Sequence, residues 1–371
     1  VEHWDVVVVG GGPAGAASAA AAGRAGARVL VLDRAEFPRD KVCGDGIAPE
    51  ALDVLAGLGI DPAALTAGYP PVPRLRLRSP RGHTVERATR RPAVNVPRQV
   101  FDARLLDAAA EQGATFRRHA VRRLDARADA VVVDGRIAAD VVIGADGAES
   151  VVRRALGTTP NRPHRTAVAI RGYAPAPPGQ DGVQVLATTE RRWPAYAWSF
   201  PLGDGRANVG YGELVSAGTT RAELVAGLHR LLPGVAPRGL RAHRLPLSTG
   251  RPRQPDGRVL LAGDAAALIN PLTGEGIFYA VLSGALAGAA AVHGAAAGAA
   301  YRRALHGRLG GHLRSTALAS RLSGWPALMD AAFGAAAADQ RVFDDLVDLG
   351  LADGRLTGRA LAATVGRLRR S

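Results

Sequence analysis

Apolar and polar positions near the start of the chain follow a strand–turn–helix–strand rhythm. Val6 to Val9 is a short apolar run, 16–25 is an alanine-rich stretch of helical character, and RVLVLDR at 28–34 is apolar up to a terminal acid. The VPRQVFDARLLDAAAEQGA segment, 96–114, places apolar side chains at 101, 105, 106 and 109, the spacing of one helix face. A further helix is predicted at 48–57, short Pro/Gly-punctuated strands over 72–96, a hairpin at 131–135, and a strand with a sharp turn over 139–147. Residues 160–250 change to alternating strand-like pieces such as YAWSF and RANVGYG, which predicts a second, mostly antiparallel layer. RVLLAGDAAA at 258–267 returns to the earlier strand–turn–helix style, so the first domain is discontinuous. The tail beyond about 302 is Ala-rich and helical, with Trp325, Phe333 and Phe343 available to anchor it.

The expected fold is therefore α/β. A Rossmann-like dinucleotide domain comprises 1–70, 97–155 and 255–302; an antiparallel-sheet substrate domain comprises 71–96 and 156–254; a C-terminal helical region comprises 303–371.

Composition narrows the class without deciding it. With 47% hydrophobic and 22% charged residues, the 371-residue chain can bury a sizeable core and is not a disordered type. The net charge of +14 comes almost wholly from arginines scattered singly and in pairs. Lacking a dense basic block, this pattern argues against nucleic acid as a partner and fits a GC-rich coding bias, with weak attraction to anionic surfaces or substrates. The single cysteine excludes an internal disulfide, and no metal-ligand cluster is expected. From Gly276 to Tyr301 no Asp, Glu, Lys or Arg occurs, yet the content is mostly Ala and Gly. That favours a buried helix packed closely on a sheet over a membrane span. With Asp5 so near the start and no signal-peptide pattern ahead of it, a cytoplasmic location is expected.

The Gly-rich turn between the first strand and helix, GGGPAG at 10–15, carries Gly10, Gly12 and Gly15 at the positions of a dinucleotide fingerprint. The first permits the tight turn, the second lets backbone approach a pyrophosphate, and the third lets helix and strand pack closely. Free N–H groups at the helix start, behind Pro13 and Ala14, would face the phosphates. Asp33, 18 residues after Gly15, can accept hydrogen bonds from a ribose, with Arg34 beside it. NAD and FAD both satisfy this much.

GADG at 144–147 and AGDAA at 262–266, together with the fingerprint, resemble the FAD-binding pattern of the flavoprotein hydroxylase and reductase superfamily. KVCGDGIAP at 41–49, YAWSFPLGDGRANVGYG at 196–212 and GDAAALINPLTGEGIFYA at 263–280 further resemble the geranylgeranyl reductase family, whose FAD-dependent members saturate isolated double bonds in polyprenyl chains. The resemblance extends to roughly residue 280. Aromatic hydroxylase relatives carry a His after the GDAA turn and a less acidic PxxGxG segment; here Ala267, Pro271, Gly274, Glu275 and Gly276 stand there, which favours a reductase over a monooxygenase.

The resemblance implies FAD as cofactor, a hydrophobic prenyl substrate, and peripheral contact with the inner membrane surface. It implies that Asp264, with Gly263, meets the ribityl or pyrophosphate region, unless Asp264 only caps a helix, and that Ala145, Asp146 and Gly147 shape the dinucleotide pocket. Arg98 matches a cofactor-contacting arginine, against the alternative of a surface ion pair. Tyr196, Trp198 and Phe200 share one strand face and match the substrate side of the flavin, a role compatible with a core aromatic stripe. TGEGI at 273–277, including Gly274, Gly276 and Ile277 after Pro271, is expected to approach the isoalloxazine pyrimidine edge. Glu275 is either a helix-cap partner or a group in the proton path. Cys43 and Gly44 lie in the loop near the flavin, where Cys43 either acts directly through a lowered pKa or shapes the pocket. No second GxGxxG unit is present, which leaves NAD(P)H bound transiently, a ferredoxin or a reduced quinone pool as electron donor.

Overall fold

The structure, a computed structural model, describes residues 1–159, 161–189, 195–216 and 219–369. The chain runs β1 (Glu2–Val9), α1 (Pro13–Arg24), β2 (Val29–Asp33), β3 (Gly46–Ile47), α2 (Pro49–Gly57), α3 (Pro62–Thr66), β4 (Pro71–Arg78), β5 (Thr84–Asn95), α4 (Arg98–Glu111), β6 (Thr115–Arg118), β7 (Leu124–Ala126), β8 (Val131–Val133) and β9 (Ile137–Gly144). It continues through α5 (Val151–Ala155), β10 (Thr166–Pro175), β11 (Val183–Thr188), β12 (Tyr196–Pro201), β13 (Arg206–Leu214), α6 (Arg221–Leu231), β14 (Arg238–Pro246) and β15 (Val259–Leu261). Five helices finish it: α7 (Ile277–Ala291), α8 (Ala297–Leu322), α9 (Pro326–Ala338), α10 (Gln340–Leu351) and α11 (Gly358–Leu368).

Two sheets organise these elements. The first has the order β6–β2–β1–β9–β8–β7, with β15 joining β9 beyond β8. Its centre is parallel, and Val6 to Val9 and Val29 to Leu32 are fully buried between helices, as a doubly covered sheet requires. The second has the order β14–β10–β13–β12–β11–β4–β5–β3 and is antiparallel except where β11 runs parallel to β4. β3 is the short link: residues 46–47 leave the first domain's stretch of chain and pair with β5 of the second sheet.

The uncharged Ala/Gly run resolves into two helices with a break at 292–296, and no helix among the described residues is long and apolar enough to cross a membrane. Its glycines serve close packing. A Cβ at Gly284 would lie 2.2 Å from the Ala14 carbonyl oxygen, and one at Gly288 would lie 2.2 Å from that of Ser18. α7 therefore sits directly on α1, holding the start of α1 in place below the Gly-rich turn.

Three expectations need correction. The boundary drawn at 302/303 falls inside α8, whose Tyr301 hydroxyl donates to the Leu261 carbonyl at 2.9 Å and ties the helix to β15. RVLLAGDAAA does not complete a strand–turn–helix unit: GDAA is itself a single 3₁₀ turn, 263–266, and the regular helix starts at Ile277, directly after the TGEGI turn. Phe333 and Phe343 do anchor the tail, packing against Leu75, Leu77 and Val85 of the second sheet. Trp325 does not; at the start of α9 it is 66% exposed.

Candidate active site

A cavity of about 780 Å³ runs from Leu32, Asp33, Arg34 and 119–121 past the Gly-rich turn to the 273–277 loop and on between the second sheet and α10. Of the residues singled out from sequence, Gly10, Gly12, Pro13, Ala14, Asp33, Arg34, Cys43, Gly44, Arg98, Ala145, Asp146, Gly147, Tyr196, Trp198, Phe200, Asp264, Gly274, Glu275, Gly276 and Ile277 all line it. Gly15, Gly263 and Pro271 do not. A Cβ on Gly15 would come 1.7 Å from the Gly10 carbonyl oxygen, so this glycine is required by backbone packing. Gly263 has φ +56 and lies behind the wall against Ala14 and Ala280, its N–H donating to Ser283. Pro271 is buried away from the opening.

The first end of the cavity suits an anion. α1 begins behind Gly12 with Pro13 in its first turn and no side-chain cap, so its N–H groups are open to a ligand. Gly12 faces two guanidiniums, its Cβ position being 3.3 Å from Arg39 and 3.9 Å from Arg98. Arg98 is not in a surface ion pair. It is 8% exposed and donates to both Asp102 oxygens, at 2.5 and 2.8 Å, while Arg39 reaches the same carboxylate at 3.2 Å. Burial alone would depress the Arg98 pKa; the Asp102 carboxylate outweighs it and holds the group above its ordinary range. Two fixed cations therefore share one buried counter-ion, leaving positive charge for a phosphate. Asp33 takes hydrogen bonds from the Gly11 and Ala35 N–H groups at 2.8 and 2.9 Å, which locks it at the end of β2.

Asp146 caps α5: its carboxylate accepts from Ser150 Oγ at 2.5 Å and from the Val151 N–H at 2.6 Å. Asp264 has no such capping role at its own 3₁₀ turn, and burial raises its pKa against the pull of Lys41 and Arg98. Glu275 accepts from the Phe278 N–H at 2.8 Å, closing the first turn of α7. Burial raises its pKa to about 7. A carboxyl raised in the folded state binds a proton more readily than the unfolded chain does, so its effect is to weaken folding as pH rises from roughly 4 to 7. Glu275→Gln removes that titration and keeps an acceptor oxygen. Relative to the unaltered apoprotein, the variant should gain about 2–4 kcal/mol between pH 5 and pH 8, measured by denaturant unfolding at both pH values; a pH-independent difference would contradict the shift.

Burial pushes the Cys43 thiol up, and the neighbouring Arg98 does not compensate. Its loop is instead clamped to the second sheet. Arg171 donates to Asp40 at 2.5 Å and to the Lys41 carbonyl at 2.8 Å; Asn208 donates to the Cys43 carbonyl at 2.8 Å and to Asp45 at 2.7 Å. Tyr173 also donates to Asp45, at 2.7 Å, and the Trp198 indole N–H donates to Asn208 at 2.8 Å.

Strand register explains the cavity wall. Tyr196, Gly212, Ala169 and His243 form one row across four strands; Trp198, Gly210, Arg171 and Arg241 form the next. The Trp198 ring lies over Gly210, where a Cβ would be 2.1 Å away. The small residues Gly212 and Ala169 leave a trough between Tyr196 and His243. Across it the Tyr196 hydroxyl donates to the Thr273 carbonyl, joining sheet to loop. Leu186, Val347 and Leu351 extend the apolar wall beyond the aromatics. Sequence reasoning missed Arg39, Asp102, His243, Asn208 and Asp45, whose roles depend on contacts between distant segments.

The arrangement defines a flavin-type dinucleotide site continued by an apolar chamber. The sequence profile of the FAD binding domain family matches residues 3–194. A menaquinone reductase of Mycolicibacterium smegmatis is 36% identical over 316 residues, covering 76% of this chain and 75% of that protein. A digeranylgeranylglycerophospholipid reductase of Methanopyrus kandleri is 35% identical over 309 residues, covering 78% and 80%. Among solved structures, a geranylgeranyl bacteriochlorophyll reductase-like protein of Thermoplasma acidophilum superposes with TM-score 0.77 at 21% identity, covering 100% of this chain and 99% of that one. A flavin-dependent brominase does so with TM-score 0.78 at 18% identity, covering 99% and 98%. The chain belongs to the geranylgeranyl/prenyl reductase branch of the FAD-binding flavoprotein superfamily. It is an FAD-binding enzyme of the oxidoreductase class.

Proposed function

We propose that the enzyme saturates isolated C=C bonds of a polyprenyl chain carried by a geranylgeranyl lipid, a diphosphate or a prenylquinone. The observation that carries this reading is the apolar chamber, walled by Tyr196, Trp198 and Phe200 and floored by Gly212 and Ala169, opening directly off the dinucleotide end. The activities borne by the M. smegmatis and M. kandleri relatives are consistent with it.

In this reading the α1 N-terminus, Gly10, Gly12, Pro13, Ala14, Arg39 and Arg98 hold the pyrophosphate, and Asp33 and Arg34 the ribose. Asp264 meets the ribityl chain, with Ala145, Asp146 and Gly147 closing that side. Gly274, Gly276 and Ile277 let backbone reach the pyrimidine edge, where the start of α7 favours negative charge. Glu275 caps that helix, and Cys43 and Gly44 shape the opposite wall. FAD supplies the hydride; the chain's own residues bind the alkene, exclude water and hold the proton. Affinity for the substrate comes from buried apolar area, at about 25 cal/mol per Å². Electrons come from NAD(P)H or a ferredoxin, and the substrate brings the protein to a membrane surface by peripheral contact, checked by cosedimentation with anionic vesicles at low salt.

A second reading, an FAD-dependent monooxygenase or tailoring enzyme, draws support from the brominase, whose fold covers nearly the whole chain. Oxygen separates the two. The reductase gives the same product yield under argon as in air; product that forms only in air, with matching oxygen uptake, would establish the second reading.

A further inference from the structure

The chain contains one lysine, Lys41, among 47 basic residues; every other one is arginine. A coding bias that places arginine everywhere else makes the exception informative, because the two side chains differ in one chemical respect. Arginine keeps its proton at any working pH, whereas a buried lysine can release one.

Lys41 also stands in an unusual place. It lines the cofactor cavity, half-buried, and its Nζ lies 2.9 Å from His243 Nε2 on the edge strand of the second sheet. No carboxylate among the described residues forms an ion pair with it. Around it are Asp264 from the GDAA turn, Arg98 from α4, and Arg39 and Cys43 from its own loop. Burial and repulsion from the two arginines, only partly compensated by Asp264, bring its pKa down to about 8. The same burial, with Lys41 and Arg98 nearby, lowers His243 to about 3, so the imidazole is neutral and its Nε2 accepts the ammonium N–H.

Three other proton carriers in the chamber are engaged, and the buried Asp264 carboxyl stands beside Lys41. Glu275 closes the α7 helix turn, the Tyr196 hydroxyl donates to Thr273, and the Cys43 thiol sits beside Arg98 in a clamped loop. Lys41 faces the trough with a proton it can part with.

We propose that Lys41 is the proton donor of the reaction and His243 the positioning residue that aims it. The proposal rests on the reductase reading. Saturating a C=C bond consumes one hydride, which the reduced cofactor supplies, and one proton. The proton leaves Lys41 Nζ for the second alkene carbon, an N–H bond breaking as the C–H bond forms, and the neutral amine recovers a proton from water.

The composition makes the test direct. Protein grown on ¹⁵N/¹³C-lysine carries a single labelled side chain, and its NMR titration in the FAD-loaded enzyme should show a midpoint well below the ordinary value of about 10.4. His243→Ala should move that midpoint. Lys41→Arg keeps the charge but not the labile proton. It should retain FAD, yet slow anaerobic reoxidation of the reduced enzyme by substrate about 100-fold or more, and small primary amines should restore part of the rate of Lys41→Ala. A midpoint above about 10, or a Lys41→Arg enzyme with the unaltered rate, overturns the proposal whatever the substrate. A lowered midpoint in an enzyme that leaves every prenyl chain untouched overturns the reductase reading, and the donor assignment with it.

Discussion

Gly15→Ala is expected to yield protein without bound flavin and destabilised by about 4 kcal/mol or more. The added methyl would stand 1.7 Å from the Gly10 carbonyl oxygen, with Val8 also in contact, so the turn and the start of α1 would have to separate. No side chain can yield there, because the obstructing atom is backbone. The separation would displace the N–H groups that close the anion end of the cavity, coupling loss of stability to loss of cofactor. Flavin absorbance after purification and a denaturant melt are the two readouts. A Gly15→Ala protein that retains one FAD per chain would contradict the account of the turn.

Asp102→Ala is the second large effect, and its sign depends on the ligand. The carboxylate is fully buried between Arg98 and Arg39. Removing it leaves two buried guanidiniums without a counter-ion, a loss of about 3–5 kcal/mol in the apoprotein. In the proposed placement a bound pyrophosphate brings negative charge to the same place, so saturating FAD should recover a substantial part of that loss. Unfolding curves with and without FAD measure the difference. Equal destabilisation in both would mean that the two arginines do not face the phosphates.

The strand–turn–helix opening, the amphipathic helix with Phe101, Leu105, Leu106 and Ala109 buried, and the close-packed Ala/Gly helix were legible because each is written in local periodicity or residue size. The cavity wall was half legible. Alternation in YAWSF puts Tyr196, Trp198 and Phe200 on one face, but which residues stand beside them depends on register between strands far apart in sequence. His243 pairs with Ala169, and nothing near residue 243 announces it. Charge environment was the least legible. Basic neighbours suggested a lowered pKa for Cys43, while desolvation, a property of the folded surroundings, decides the opposite. Lys41 was different again: its signal was available in composition, as the one departure from arginine, and only the cavity showed what that departure could serve.

The central claim is that reduced flavin in this chamber saturates a prenyl chain. The most direct test is to reduce the FAD-loaded enzyme anaerobically, mix it with candidate prenyl lipids and quinones, and record flavin reoxidation together with product mass. Alkene saturation predicts reoxidation without oxygen and a product heavier by about 2 Da for each flavin reoxidised, two hydrogens per bond. Flavin that stays reduced until air is admitted, followed by a product carrying an added oxygen atom, would contradict it.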